Sequence, residues 1–82
     1  MVELSDVLLL IRSKREMSEF LKGLFTEGEL AEFERRLLIV KKLKASIPQQ
    51  RIAKELGVGV ATVTRGSKEL QKGRFKQVGS RE

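Results

Sequence analysis

Apolar positions recur along this chain at helical spacing, and no stretch alternates long enough to predict a strand. Leu4, Val7, Leu8, Leu10 and Ile11 form a first stripe, and Met17, Phe20, Leu21 and Leu24 continue it. The polar break Arg12–Glu16 holds neither Gly nor Pro, so the two segments are either separate helices or one bent helix. Gly23 stands where that segment would end. Thr26, Glu27, Gly28 and Glu29 then make a T-x-x-E capping box, which predicts a helix start with Thr26 as cap. The next helix carries Leu30, Phe33, Leu37, Val40 and Leu43, with Leu38 and Ile39 on another flank. Apolar surface on more than one side predicts a central helix that contacts two layers.

Pro48 is tolerated only in a loop or in the first turn of a helix, so it marks a new start. A short helix with Ile52, Ala53 and Leu56 follows, ended by Gly57. Val58 turns inward, Gly59 opens the next helix, and that helix carries Val60, Val63 and Leu70. Two short helices crossing steeply leave room only for a small residue at their contact, here Ala53. The tight turn between them requires a positive φ, which Gly57 adopts without a Cβ penalty. This is the spacing of a helix-turn-helix. The fold expected is all-α: short helices with a C-terminal helix-turn-helix. Residues 1–25 are read as N-terminal dimerisation helices, 26–73 as the central helix plus DNA-binding region, and 74–82 as a basic flexible tail.

Charge supports a polyanionic partner. The net charge is +6, yet residues 1–34 carry eight acids against four bases, and residues 35–82 carry thirteen bases against three acids. The helix-turn-helix lies in the basic half, as expected for nucleic acid. A second helix of this kind lies in the major groove with its N-terminal residues at base edges. Gly59, Val60, Ala61, Thr64 and Lys68 are its exposed positions. Thr can hydrogen-bond a base, and Ala or Val can touch a thymine methyl. Arg51, Lys54 and Lys68 are available for phosphates.

The chain has 82 residues, no Cys and no His. Disulfides, thiolate or imidazole metal sites and a His general base are therefore excluded. Among the staples open to small domains, oligomerisation remains. No carboxylate pair faces a nucleophile, and Ser67 and Thr64 lack a candidate base, so no enzyme is expected. The longest apolar run, Val7–Ile11, is far short of a membrane span, and Glu3 and Asp6 stand where a signal peptide would be basic. The expected location is cytoplasmic.

The string Ala61-Thr62-Val63-Thr64-Arg65-Gly66-Ser67 resembles the tryptophan operon repressor family. The resemblance runs from about Thr26 to Leu70 and includes the segment RLLIVKKL ending at Leu43. It implies an intertwined homodimer, L-tryptophan as corepressor with no other cofactor, and a palindromic operator. By the same resemblance Arg65 pairs with the ligand carboxylate and Arg36 lies against the indole. Thr26 sits near the carboxylate, Thr62 lines the ring, and Gly66 lets the ring approach the backbone. Glu69 replaces a small Ser near the ligand amino group, where it either pairs with the ammonium or repels the carboxylate. Gln50 replaces an arginine that reads a base, and Gly28 and Leu30 replace an Asp and an Arg. The alternative functions are a ligand-independent helix-turn-helix protein, either a regulator or a transposase-type recognition domain, and a helical module that binds only proteins.

Overall fold

In a computed structural model residues 2–79 are described, and among them every regular element is helical. The order is α1 (Leu4–Leu10), α2 (Lys14–Leu24), α3 (Glu27–Lys44), α4 (Gln49–Leu56) and α5 (Val60–Gln71). The chain divides into two compact units, one up to Glu32 and one from Phe33 onward. None of the described helices is long and apolar enough to cross a membrane.

In the first unit, the break at Arg12–Glu16 resolves into two helices. Ile11 leaves α1 in an extended conformation. Ser13, also extended, accepts a hydrogen bond on its Oγ from the Glu16 N–H at 3.0 Å, which caps α2. Gly23 lies inside the last turn of α2, and the helix ends instead at extended Phe25. The capping box forms reciprocally. Glu29 N–H donates to Thr26 Oγ1 at 3.1 Å, and Thr26 N–H donates to Glu29 Oε1 at 2.9 Å.

The second unit has its core where α4 and α5 meet α3. Ile39, Ile52, Ala53 and Val63 are buried, and Leu43, Ile47, Leu56 and Val58 pack around them. Ile52 and Val63 are fully excluded from solvent. Each such burial contributes roughly 1.5–3 kcal/mol. The inward face of α3 near α5 is set by Ile39 and Leu43, while Phe33, Leu37 and Leu38 remain exposed. Lys42 on α3 also pairs with Glu55 on α4, Nζ to Oε1 3.5 Å.

Two left-handed residues shape the ends of α3 and α4. Gly57, at φ 65°, closes α4, and the Val58 N–H donates to the Ala53 carbonyl at 3.0 Å. Ser46 does the same for α3 at φ 63°, although it carries a Cβ. Its N–H donates to the Leu43 carbonyl at 3.0 Å and that of Ile47 to the Lys42 carbonyl at 3.1 Å, the double closure of a Schellman motif.

Residues 74–79 of the segment read as a flexible tail fold into a turn, and 80–82 lie outside the described residues. Val78 N–H donates to the Phe75 carbonyl at 3.1 Å. Lys44 Nζ donates to the carbonyls of both Phe75 and Val78. An ammonium with three donors satisfies two chain carbonyls at once, which ties this turn to the end of α3.

Candidate nucleic-acid and ligand interface

Helix α5 has two faces, separated by the helical period. Val63, Gly66, Ser67 and Leu70 stand at i, i+3, i+4 and i+7, and all are buried or half-buried. Val60, Ala61, Thr62, Arg65 and Lys68 are exposed. The outer face forms an open groove lined by Val60, Ala61, Thr64, Arg65, Lys68 and Glu69, and by Lys72 at its far end. Three cations and one carboxylate therefore border a floor of small and aliphatic side chains.

Most positions read as DNA-facing are at the surface. Gln50, Arg51, Lys54, Gly59, Val60, Ala61 and Lys68 are all exposed. A Cβ on Gly59 would meet nothing within 4 Å, so the backbone there is open to close approach. Neither Pro48 at the start of α4 nor Gly59 at the start of α5 supplies a side-chain cap. The first backbone donors of both helices thus carry partial positive charge toward the outside. Arg51 is not a free cation, because its Nε donates to Glu55 Oε2 at 3.4 Å. Thr64 differs most from its neighbours. It is half-buried, and its hydroxyl donates to Gln49 Oε1 at 2.8 Å across the α4–α5 crossing.

Gln49 was not singled out by the sequence, although a signal exists. It begins the row Gln49, Ile52, Ala53, Leu56, which is the inward face of α4. A polar residue at the head of a buried row must find a hydrogen-bond partner. Thr64, next to buried Val63, is that partner.

The positions read as ligand-binding are distributed differently. Arg65 and Thr62 are exposed on α5. The Arg36 guanidinium lies 5.7 Å from the centroid of the Phe33 ring, so it already faces an aromatic surface of its own helix. Thr26 lies in the first unit, with its hydroxyl engaged by Glu29. Close approach at Gly66 comes from within the chain: a Cβ there would sit 3.4 Å from Ile39 Cγ2 and 3.4 Å from Leu43 Cδ1.

Glu69 is held by two cations. Arg74 Nη1 donates to Glu69 Oε2 at 2.7 Å and Lys72 Nζ to Glu69 Oε1 at 3.3 Å. The Lys72 hydrogen bond, with the charges of Lys72 and Arg74, outweighs desolvation and holds the carboxyl below the ordinary carboxylate range. The carboxylate is therefore ionised at neutral pH. The α5 terminus helps to place it, since the Arg74 N–H donates to the Glu69 carbonyl at 3.3 Å and the Gly73 N–H to the Leu70 carbonyl at 2.9 Å. Gly73 permits this second Schellman closure at φ 88°. Among the described residues no group of three or more acidic side chains could hold a metal ion.

Comparison with known proteins identifies the family. The family described as Trp repressor protein matches residues 1–78. A Trp operon repressor homolog of Vibrio vulnificus (strain YJ016) is 39% identical over 59 residues, covering 71% of this chain and 58% of the relative. One from Vibrio parahaemolyticus (serotype O3:K6, strain RIMD 2210633) is 38% identical over 70 residues, covering 80% of this chain and 68% of the relative. The chain thus spans between 58% and 70% of the length of the relatives it matches. No solved structure matches it significantly. Since the family match covers nearly the whole length and includes the α4–turn–α5 unit, this chain belongs to the Trp repressor family.

Proposed function

We propose that this chain is a sequence-specific DNA-binding transcriptional repressor that works as a homodimer and responds to L-tryptophan. The observation that carries the DNA reading is the outer face of α5. Val60, Ala61 and Lys68 stand exposed there beside open Gly59, with Lys54 and Gln50 flanking on α4. In this reading α5 enters the major groove, its first turn meets base edges, and Lys54, Lys68 and Arg51 meet phosphates. The helix-terminal N–H groups add backbone donors for phosphate oxygens.

The dimer reading rests on apolar exposure. Leu9 is 84% exposed and Leu10 76%, and Leu24, Phe33, Leu37 and Leu38 are also exposed. In each unit such exposed apolar side chains mark an association surface. A second copy of the chain covers it in this reading, and holds two recognition helices at the spacing of successive major grooves, about 34–36 Å.

For the ligand, Arg65 and Glu69 stand one turn apart on α5 with opposite charge. A guanidinium suits the carboxylate of an amino acid, and an ionised carboxylate suits its ammonium. Thr62, Arg36 and Gly66 of the second unit complete the proposed set, in which the ligand ring replaces Phe33 as the surface under Arg36. L-Tryptophan then acts by binding the DNA-competent state more tightly than the other.

One observation favours a ligand-independent regulator. Glu69 already pairs with Arg74 and Lys72, so an ammonium ligand has to compete with two cations in place. A mobility-shift titration on duplex DNA, with and without millimolar L-tryptophan, separates the readings. Salt-sensitive, sequence-dependent binding tightened by tryptophan supports the repressor with corepressor. Binding indifferent to tryptophan selects the ligand-independent regulator. Absence of any salt-sensitive shift refutes DNA binding, because phosphate contacts necessarily release counterions.

A further inference from the structure

We infer that Gln49 is a positioning residue that fixes the Thr64 hydroxyl as a hydrogen-bond acceptor, so that α5 selects a base carrying a major-groove amine. The inference rests on the reading that α5 enters the major groove. Its basis is the bond from Thr64 Oγ1 to Gln49 Oε1 at 2.8 Å. A threonine hydroxyl has one proton and two acceptor positions. Its proton is spent on Gln49, and only lone pairs remain for DNA. In the major groove adenine N6 and cytosine N4 are donors, whereas guanine and thymine present acceptors only. Thr64 held in this way favours adenine or cytosine at the base it meets and disfavours guanine or thymine.

The core holds this pair in place. Gln49 lies one turn ahead of Ile52 and Ala53, and Thr64 follows Val63, and these three apolar side chains are at most 6% exposed. Both polar residues are themselves half-buried. The crossing that brings α4 against α5 therefore also sets the distance between the two polar side chains. A freely rotating surface hydroxyl donates or accepts as its partner demands and discriminates little; a committed one discriminates.

Selection of bound sequences from a random duplex library tests this, using the full chain with and without L-tryptophan. The wild type is expected to enrich one position in each half-site for adenine or cytosine over guanine or thymine by roughly five-fold, the factor a net hydrogen bond contributes. Gln49→Met removes the acceptor and frees the hydroxyl, so this ratio falls to about one while preferences at other positions persist. Gln49→Glu keeps an acceptor oxygen and keeps the ratio, although its added charge weakens binding to all sequences. If Gln49→Met does not fold, Thr64→Val decides the matter by the same ratio. A ratio unchanged in Gln49→Met, or in Thr64→Val where that variant decides, overturns the inference but leaves DNA reading by α5 intact. So does a loss spread evenly over every position. A wild type that enriches no motif overturns the DNA reading and the inference with it.

Discussion

Gly66→Ala is the substitution whose outcome most directly tests how α5 packs on α3. A glycine within a helix costs about 1 kcal/mol relative to alanine, because the unfolded chain loses more freedom there. Gly66 lies inside α5, six residues from its first residue Val60 and five from its last residue Gln71. Against that gain stands the added methyl. It would sit 3.4 Å from Ile39 Cγ2 and 3.4 Å from Leu43 Cδ1, the near edge of ordinary contact. Leu43 is only partly buried and presents the end of a flexible side chain, so it can yield by a few tenths of an ångström. The propensity gain therefore wins, and Gly66→Ala is expected to stabilise the ligand-free protein by about 0.5–1 kcal/mol. For a domain of this size that raises Tm by about 2–8 °C. Gly66→Val places a further branch against Ile39 and Leu43 and is expected to destabilise by about 1–3 kcal/mol. Urea unfolding followed by circular dichroism measures both, at one fixed protein concentration because association shifts apparent stability. A shift in the midpoint at constant m is the expected form. If Gly66→Ala destabilises by 1 kcal/mol or more, α3 and α5 lie closer than described and the packing account of Gly66 is wrong. If L-tryptophan tightens DNA binding as proposed, loss of that effect in a stabilised Gly66→Ala would instead show that the glycine serves the ligand as well as the core.

Other perturbations have equally definite outcomes. Ser46→Gly relieves a left-handed residue with a Cβ and should stabilise by about 0.5–1 kcal/mol in the same urea assay. Thr26→Ala removes the hydroxyl that receives the Glu29 N–H and should cost about 1 kcal/mol, most of it recovered by Thr26→Ser. Lys44→Met removes the donor to Phe75 and Val78, so hydrogen exchange at the Val78 amide should accelerate while the α5 amides stay protected. The Glu69 carboxyl has a lowered pKa in the folded state, so its stabilising share is fully present above the ordinary carboxylate range and is lost as pH falls through the folded value. Unfolding midpoints measured across that acid range should therefore fall less steeply for Glu69→Gln than for the wild type.

The parts of this fold that were legible in the sequence are those set by residues three to five apart. The capping box at Thr26 and Glu29 closes within one helical turn, so its two hydrogen bonds depend on nothing else in the chain. The turn at Gly57 is equally local, since φ 65° excludes most side chains and the return bond spans Ala53 to Val58. Ala53 and Val63 were legible as core because the crossing of two short helices admits few residue types. Charge placement followed directly from composition along the chain.

Tertiary structure decided what depends on how one helix is rotated against another. The α3 sequence is apolar on several sides, so its period alone did not say that Ile39 and Leu43 would face α5 while Leu37 and Leu38 stayed outside. The same rotation set Gly66 against two side chains of α3 rather than open space. Pairing of Gln49 with Thr64 spans fifteen residues, and that of Lys44 with the Phe75 carbonyl spans thirty-one. No local preference reports such separations. Glu69 shows the division most clearly. Its residue type and place on α5 were visible in the chain, and they left open attraction or repulsion of an amino-acid ligand. Lys72, three residues on, is a partner that helical spacing already allows, whereas Arg74 reaches the carboxylate because the left-handed Gly73 turns the chain back at the end of α5.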